Sequence, residues 1–153
     1  HPEPHRLRTI LGLEAKNPAI ILPDADLDLT VNETTLGALS YNGQRCTALK
    51  MIFIHNSIKD EFLKKLNDKI SSLNIGMPWS PNVQITPLPE MGKTDYLLDL
   101  VEDAKMHGAQ IINDFGGTVN ETFFFPAVLY PVNSKMKVYK EEQLGPVIPV
   151  RSF

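Results

Sequence analysis

Cysteine is all but absent from this chain. Cys46 is the single one in 153 residues, so no internal disulfide can form and no thiolate cluster can gather around a metal. Long apolar runs are missing too. MIFI at Met51–Ile54 and FFFPAVLY at Phe123–Tyr130 fall far short of the ~20 residues that a membrane-crossing helix needs. No charge of one sign prevails: 15 basic and 18 acidic residues leave a formal charge of -3, which offers no cationic field to nucleic acid or anionic lipid. Neither a G-x-G-x-x-G nor a P-loop pattern occurs, so no phosphate cradle is expected, and FGG at Phe115–Gly117 reads as a hairpin-type turn. The four histidines, His1, His5, His55 and His107, lie too far apart in sequence to suggest a metal site. No secretory or lipidation signal opens the chain, and the sequons at Asn32 and Asn120 are read as accidental. These absences lead to an expectation of a soluble protein of a reducing, cytoplasmic compartment, with no nucleic acid, membrane or metal among its partners.

What is present suits one globular domain with a core, at 42% hydrophobic and 22% charged residues. Arg6–Leu13 and Asn17–Leu22 read as short strands, followed by the turn PDADLD with Pro23 and three aspartates. Pro23 and Leu27 interrupt any calcium-loop pattern there, so Asp24, Asp26 and Asp28 are taken as a solvated acidic turn. A helix is expected from Leu29 to about Ser40, with Leu29, Leu36, Ala38 and Leu39 at loose helical spacing and Gly43 ending it. Leu49–His55 is a strand candidate. Ser57–Leu73 is the clearest helix, with Ser57 as N-cap, Asp60 three residues later, and Ile58, Phe62, Leu66, Ile70 and Leu73 on one face. Residues 75–93 hold four prolines and two glycines, which predicts a long loop. A second amphipathic helix runs from Thr94 to a stop at Gly108, and strands are expected at 109–113, 123–132 and 145–153. Strands separated by helices predict crossover connections and an α/β fold with a mainly parallel sheet under covering helices.

Chemistry, if the chain carries any, centres on SYNGQRCTALK at Ser40–Lys50. Cys46 is either a nucleophile or a small apolar side chain packed away. Arg45 just before it, and backbone N–H groups at an element end, would favour a thiolate. Neighbouring side chains on a strand leave on opposite faces, however, so Arg45 need not face the sulfur. Gly43 would let a substrate or cofactor approach the backbone closely. From the residues alone both possibilities stay open.

Three segments in order shift the balance: KNPAIILPDADLD at Lys16–Asp28, GQRCTALK at Gly43–Lys50, and EEQLGPV at Glu141–Val147. From about Leu11 onward the chain resembles the catalytic domain of the NAD(P)-dependent aldehyde dehydrogenases. The resemblance implies that residues 1–153 form a catalytic-domain fragment, without the Rossmann-type cofactor domain, the asparagine it lends to the oxyanion hole, or the terminal segment used in homo-oligomer assembly. It makes Cys46 the nucleophile that attacks an aldehyde, with its backbone N–H supporting the oxyanion and NADP or NAD accepting hydride. Glu142 matches the glutamate that holds the nicotinamide ribose. Leu144 stands where phenylalanine is usual, which keeps an apolar contact and loses an aromatic one. SYNGQRCTALK looks most like the branch that oxidises glyceraldehyde 3-phosphate without adding phosphate and prefers NADP, where an arginine in the Arg45 position binds the substrate phosphate. Other branches, semialdehyde dehydrogenases among them, carry GQRC as well.

One departure concerns the general base. The family carries it in an ELGGK segment, and here the segment reads GLEAK. Aligning on Lys16 and Pro18 puts Gly12 in the glutamate position. Glu14 is the tentative replacement, two residues out of register; in an extended segment it leaves on the same face about 7 Å further along and needs a backbone shift or a bridging water. Otherwise it is an exposed carboxylate paired with Lys16. Without a base, thioester hydrolysis should be slow and acyl-enzyme should accumulate. A member that binds aldehydes or partners without turning over is the remaining alternative.

Overall fold

The computed structural model describes residues 2–6 and 12–153. Most of the strand expected over Arg6–Leu13 therefore lies outside the described residues, and Gly12–Asn17 have no regular structure.

A five-stranded sheet forms the centre, built from β1 (Pro18–Ile21), β2 (Met51–Ile54), β3 (Gln110–Ile111), β6 (Ala127–Tyr130) and β7 (Val147–Ser152). Its order is β1-β2-β7-β6-β3, with β1, β2, β7 and β6 parallel and only β3 antiparallel. This is the mainly parallel α/β class that alternating strands and helices imply. Side-chain alternation sorts the strands between two cores. Met51, Ala127, Leu129 and Val147 face one layer with α3 (Lys93–Met106) and α4 (Lys137–Lys140), while Ile52, Ile54, Val128, Ile148 and Val150 face the other with α1 (Leu27–Leu39) and α2 (Lys59–Ser71). Both faces of the sheet are thus covered. No described helix is long and apolar enough to cross a membrane.

The helices differ from expectation at their ends and faces. α1 begins at Leu27 because the Asp26 carboxylate accepts hydrogen bonds from the N–H groups of Asp28 and Leu29, an N-cap that the acidic turn concealed. Its buried face is Val31, Thr34, Thr35, Ala38 and Leu39; Leu29 and Leu36, placed on the apolar face by sequence, are 59% and 62% exposed. The expected cap at Ser57 does not form. Ser57 is held by His55 instead, through its N–H and its hydroxyl to Nδ1, and α2 starts one residue later than Ile58 with no side-chain cap. Phe62, Leu66 and Ile70 are fully buried, as the helical period predicts.

The strand expected over 123–132 is broken in two. Pro126 has no N–H to give to a ladder, and the Asn113 amide fills in beside it, donating to Pro126 O at 2.8 Å and accepting from Val128 N–H at 2.8 Å. Ahead of the break, β4 (Val119–Asn120) and β5 (Phe123–Phe124) form an antiparallel hairpin. The hairpin turn is therefore at Glu121–Thr122, not at Phe115–Gly117, which form a separate turn packed on Ile111 and Asn113. Within residues 75–93 the one ladder contact is an isolated bridge between Ile75 and Ile85.

Candidate active site

Three segments meet outside the amino ends of three neighbouring strands. Gly12–Asn17 lead into β1, Ser40–Lys50 into β2, and Glu141–Pro146 into β7. Open parallel sheets more often place ligands at the carboxyl ends. Here the segments singled out in the sequence lie on the short approaches to β1, β2 and β7.

The approach to β2 is shaped by three consecutive left-handed residues, Tyr41, Asn42 and Gly43, at φ 55, 58 and 71°. Such conformations cost on the order of 1–3 kcal/mol for a non-glycine residue and persist only where the surroundings enforce them. Buried Asn42 does so: its amide donates to Thr86 Oγ1 at 2.9 Å and accepts from Thr86 N–H at 3.0 Å. Gly43 is enforced by packing. A Cβ there would lie 2.7 Å from both Ala38 O and Gly145 O. What approaches Gly43 is thus the backbone of the β7 approach, where the sequence suggested a substrate or cofactor.

Cys46 follows on a turn closed by Ala48 N–H donating to Arg45 O at 3.1 Å, and its side chain is exposed. The possibility that it is packed away is removed. Arg45 does not sit on a strand. Its guanidinium donates to Ser40 Oγ at 2.7 Å and lies 5.4 Å over the Tyr41 ring, while its other terminal nitrogen has no partner among the described residues.

Two lysines that sequence reasoning passed over bind the segments together. Lys50, 1% exposed, donates to Arg45 O and Gln143 O at 3.0 Å each, and its ammonium is 3.9 Å from Glu142 Oε1. Burial lowers its pKa, opposed by the charges of Glu142 and Cys46. Lys16 donates to Val138 O at 2.6 Å, to Glu141 O at 2.9 Å and to Gln143 Oε1. Burial lowers Lys16 to about 7; the Lys50 charge acts the same way, and Glu141 and Glu142 oppose it. Buried Gln143 completes the hub, donating to Lys50 O at 2.9 Å and Val147 O at 3.0 Å. Asn17 reaches across from the β1 approach and donates to Cys46 O at 2.6 Å and Ala48 O at 3.0 Å. A signal for Lys50 existed in the sequence: it directly precedes the apolar run MIFI, where an unpaired charge would be costly to bury.

Cys46, Arg45 and Glu142 are therefore brought to one place, joined through Lys50. Glu14 is exposed, and the pairing with Lys16 does not occur, because the Lys16 ammonium is spent on Val138, Glu141 and Gln143. Its influence is felt at Tyr96, whose phenol is raised first by burial and then by Glu141, Glu14 and Glu142. The Glu142 carboxylate, 12% exposed and 3.9 Å from the Lys50 ammonium, keeps oxygen lone pairs that could accept from a sugar hydroxyl of a nicotinamide cofactor.

Comparison with known proteins places the chain in a family. The profile of the aldehyde dehydrogenase family matches residues 3–153. An NADP-dependent glyceraldehyde-3-phosphate dehydrogenase of Streptococcus equinus is 39% identical over 92% of this chain and 29% of its own length. Among solved structures, the NADP-dependent glyceraldehyde-3-phosphate dehydrogenase of Bacillus halodurans, complexed with NADP, superposes with a TM-score of 0.87 at 35% identity, over 92% of this chain and 29% of that one. A succinate-semialdehyde dehydrogenase of Burkholderia pseudomallei gives a TM-score of 0.88 at 31% identity, over 92% and 30%. The chain thus spans less than a third of the length of each relative.

Proposed function

This chain belongs to the aldehyde dehydrogenase family, and from that premise we propose that it supplies the cysteine side of a site that oxidises glyceraldehyde 3-phosphate to the carboxylic acid with NADP. The observation that carries the proposal is Cys46, exposed on a turn whose flanking carbonyls are held by Lys50 and Asn17, with Lys50 in turn paired to Glu142. The Cys46 thiolate adds to the aldehyde carbon, forming a C–S bond and placing negative charge on the former carbonyl oxygen beside the Cys46 N–H. A nicotinamide cofactor, when bound, supplies the acceptor for the hydride that leaves the same carbon, and a thioester remains on Cys46. Water then adds, the C–S bond breaks, and the carboxylate departs. Glu142 is assigned to hold the ribose of the cofactor. Arg45, with a planar fork stacked on Tyr41, is assigned to the substrate phosphate.

Glu14 is the carboxylate assigned to the hydrolytic water. Gly12 leaves its position without a side chain, so if Glu14 does not take over, deacylation is the slow step and acyl-enzyme builds up. Residues 1–153 act as the catalytic domain in this reading, with a cytoplasmic setting, NAD as the lesser cofactor, and self-association into a homo-oligomer as parts of it. A second reading, oxidation of a semialdehyde, draws support from the likeness to the Burkholderia enzyme, because the same guanidinium would serve a carboxylate.

The protein expressed from its complete coding sequence tests the assignment. NADP reduction is expected to be faster with glyceraldehyde 3-phosphate than with unphosphorylated glyceraldehyde, to vanish in Cys46→Ala, and to lose its phosphate preference in Arg45→Ala. Turnover that survives Cys46→Ala would remove the nucleophile from the scheme. Inactivity on every aldehyde would leave a binding protein.

A further inference from the structure

Lys50 does more in this arrangement than neutralise a carboxylate. Its ammonium is buried, yet two of its three acceptors are backbone carbonyls, those of Arg45 and Gln143, each at 3.0 Å, and the nearest carboxylate oxygen, on Glu142, is further off at 3.9 Å. The carbonyl of Arg45 and the N–H of Cys46 belong to the same rigid peptide group. That N–H donates to no described residue. On the other side of Cys46, the next peptide is held by its carbonyl through Asn17 at 2.6 Å. Cys46 is therefore suspended between two peptide planes: the one that carries its N–H is held at the Arg45 carbonyl by Ala48 N–H at 3.1 Å and by the Lys50 cation at 3.0 Å, and the next is held by Asn17 from the β1 approach.

We propose that Lys50 is a positioning residue for oxyanion stabilisation: by holding the Arg45 carbonyl it aims and polarises the Cys46 N–H toward the oxygen of a carbonyl group undergoing attack by Cys46. A positive charge on the carbonyl end of a peptide draws electron density away from the nitrogen, which makes the N–H a stronger donor. The anchor also removes reorganisation at the moment charge develops, which is where donors of this kind have their effect. Through Glu142 the same ammonium ties this peptide to the β7 approach, so both halves of the site share one cation. The inference rests on the assignment of Cys46 as nucleophile.

The test needs no cofactor and uses the protein expressed from its complete coding sequence. Acylation of Cys46 by p-nitrophenyl acetate forms a C–S bond, passes through a tetrahedral oxyanion, and breaks the ester C–O bond with release of p-nitrophenolate. Alkylation of Cys46 by iodoacetamide displaces iodide and develops no oxyanion. In Lys50→Met the p-nitrophenolate burst is expected to slow about ten- to a hundredfold, less than the ~10²–10³ typical of deleting an oxyanion donor outright, since the N–H itself remains. Alkylation of Cys46, followed by peptide mass at its alkaline plateau, is expected to stay within about twofold, because the plateau reads the nucleophile and not the donor. Lys50→Gln keeps a neutral donor and should fall between; if Lys50→Met does not fold by circular dichroism, Lys50→Gln decides by the same comparison. An unchanged burst overturns the proposal, and so does an equal fall in both rates, which would mean that Lys50 only maintains the thiol. A wild-type protein acylated at Cys46 but inactive on aldehydes refutes the dehydrogenase reading and leaves this inference standing. A wild-type Cys46 that is not acylated at all refutes both.

Discussion

Replacing Gly43 with alanine should loosen the site and the sheet together, and its size can be worked out from two terms. The first is conformational: Gly43 has φ +71°, and an L-residue held in the left-handed region costs about 1–2 kcal/mol. The second is steric. The new Cβ would lie 2.7 Å from Ala38 O and 2.7 Å from Gly145 O, and both are backbone atoms that cannot rotate away. Overpacking of this kind costs typically about 1–3 kcal/mol. The sum is about 2–5 kcal/mol, which for a chain of this length lowers the melting temperature by roughly 6–15 °C, taking about 3 °C per kcal/mol. Gly92 is the control, because it has φ +75° and nothing within 4 Å of a Cβ, so Gly92→Ala carries the conformational term without the steric one, with the change of the α3 N-cap included. Thermal unfolding of the two variants gives the steric term, shared between Ala38 O and Gly145 O, as their difference. Equal losses in both would refute the claim that the approaches to β2 and β7 are pressed against each other.

Two further outcomes follow from the structure. Asp26→Ala should destabilise by about 1 kcal/mol through loss of the α1 cap, whereas Ser57→Ala should stay within about 0.5 kcal/mol, and urea midpoints reversing that order would contradict both cap assignments. Lys16 is lowered to about 7 from 10.5, so between those values the unfolded chain keeps a proton that the folded chain has released, and stability from this group rises with pH; below about 7 both states hold the proton and the burial penalty is present in full. The stability gap between wild type and Lys16→Met should therefore shift in favour of wild type from pH 7 toward 10, and a gap that stays flat over that range would show that Lys16 is not perturbed.

Much of the architecture could be read from the sequence because it rests on period. Phe62, Leu66 and Ile70 recur at helical spacing and are buried as a stripe, and Met51–Ile54 alternate between two covered faces. Local competition accounts for the misplaced details. Ser57 had the residue type of a cap but found a closer partner in His55, while Asp26 caps α1 from within a turn whose charges pointed to solvent. Leu29 and Leu36 are exposed because the orientation of α1 is set by packing against α2, and threonines are accepted on its buried face. The site was legible where it is contiguous, at Arg45 and Cys46. Lys16, Asn17 and the Lys50–Gln143 pair reach partners 29 to 127 residues away, and no local pattern announces such bonds.

The place of β7 sets the order in which this sheet is completed. It is the last of the strands in sequence but lies between β2 and β6 in the sheet. Until it enters, β2 and β6 have no common neighbour, and Lys50 lacks both Gln143 and Glu142. Contacts of such long range close late, since loop entropy must be overcome before they yield any stabilisation. A chain folded only as far as α4 can hold the peptides around Cys46 from within Arg45–Lys50 and through Asn17, but it lacks the ties of Lys50 to the β7 approach. The cation that joins the β2 and β7 approaches thus gains its remaining partners only with the strand that links β2 to β6.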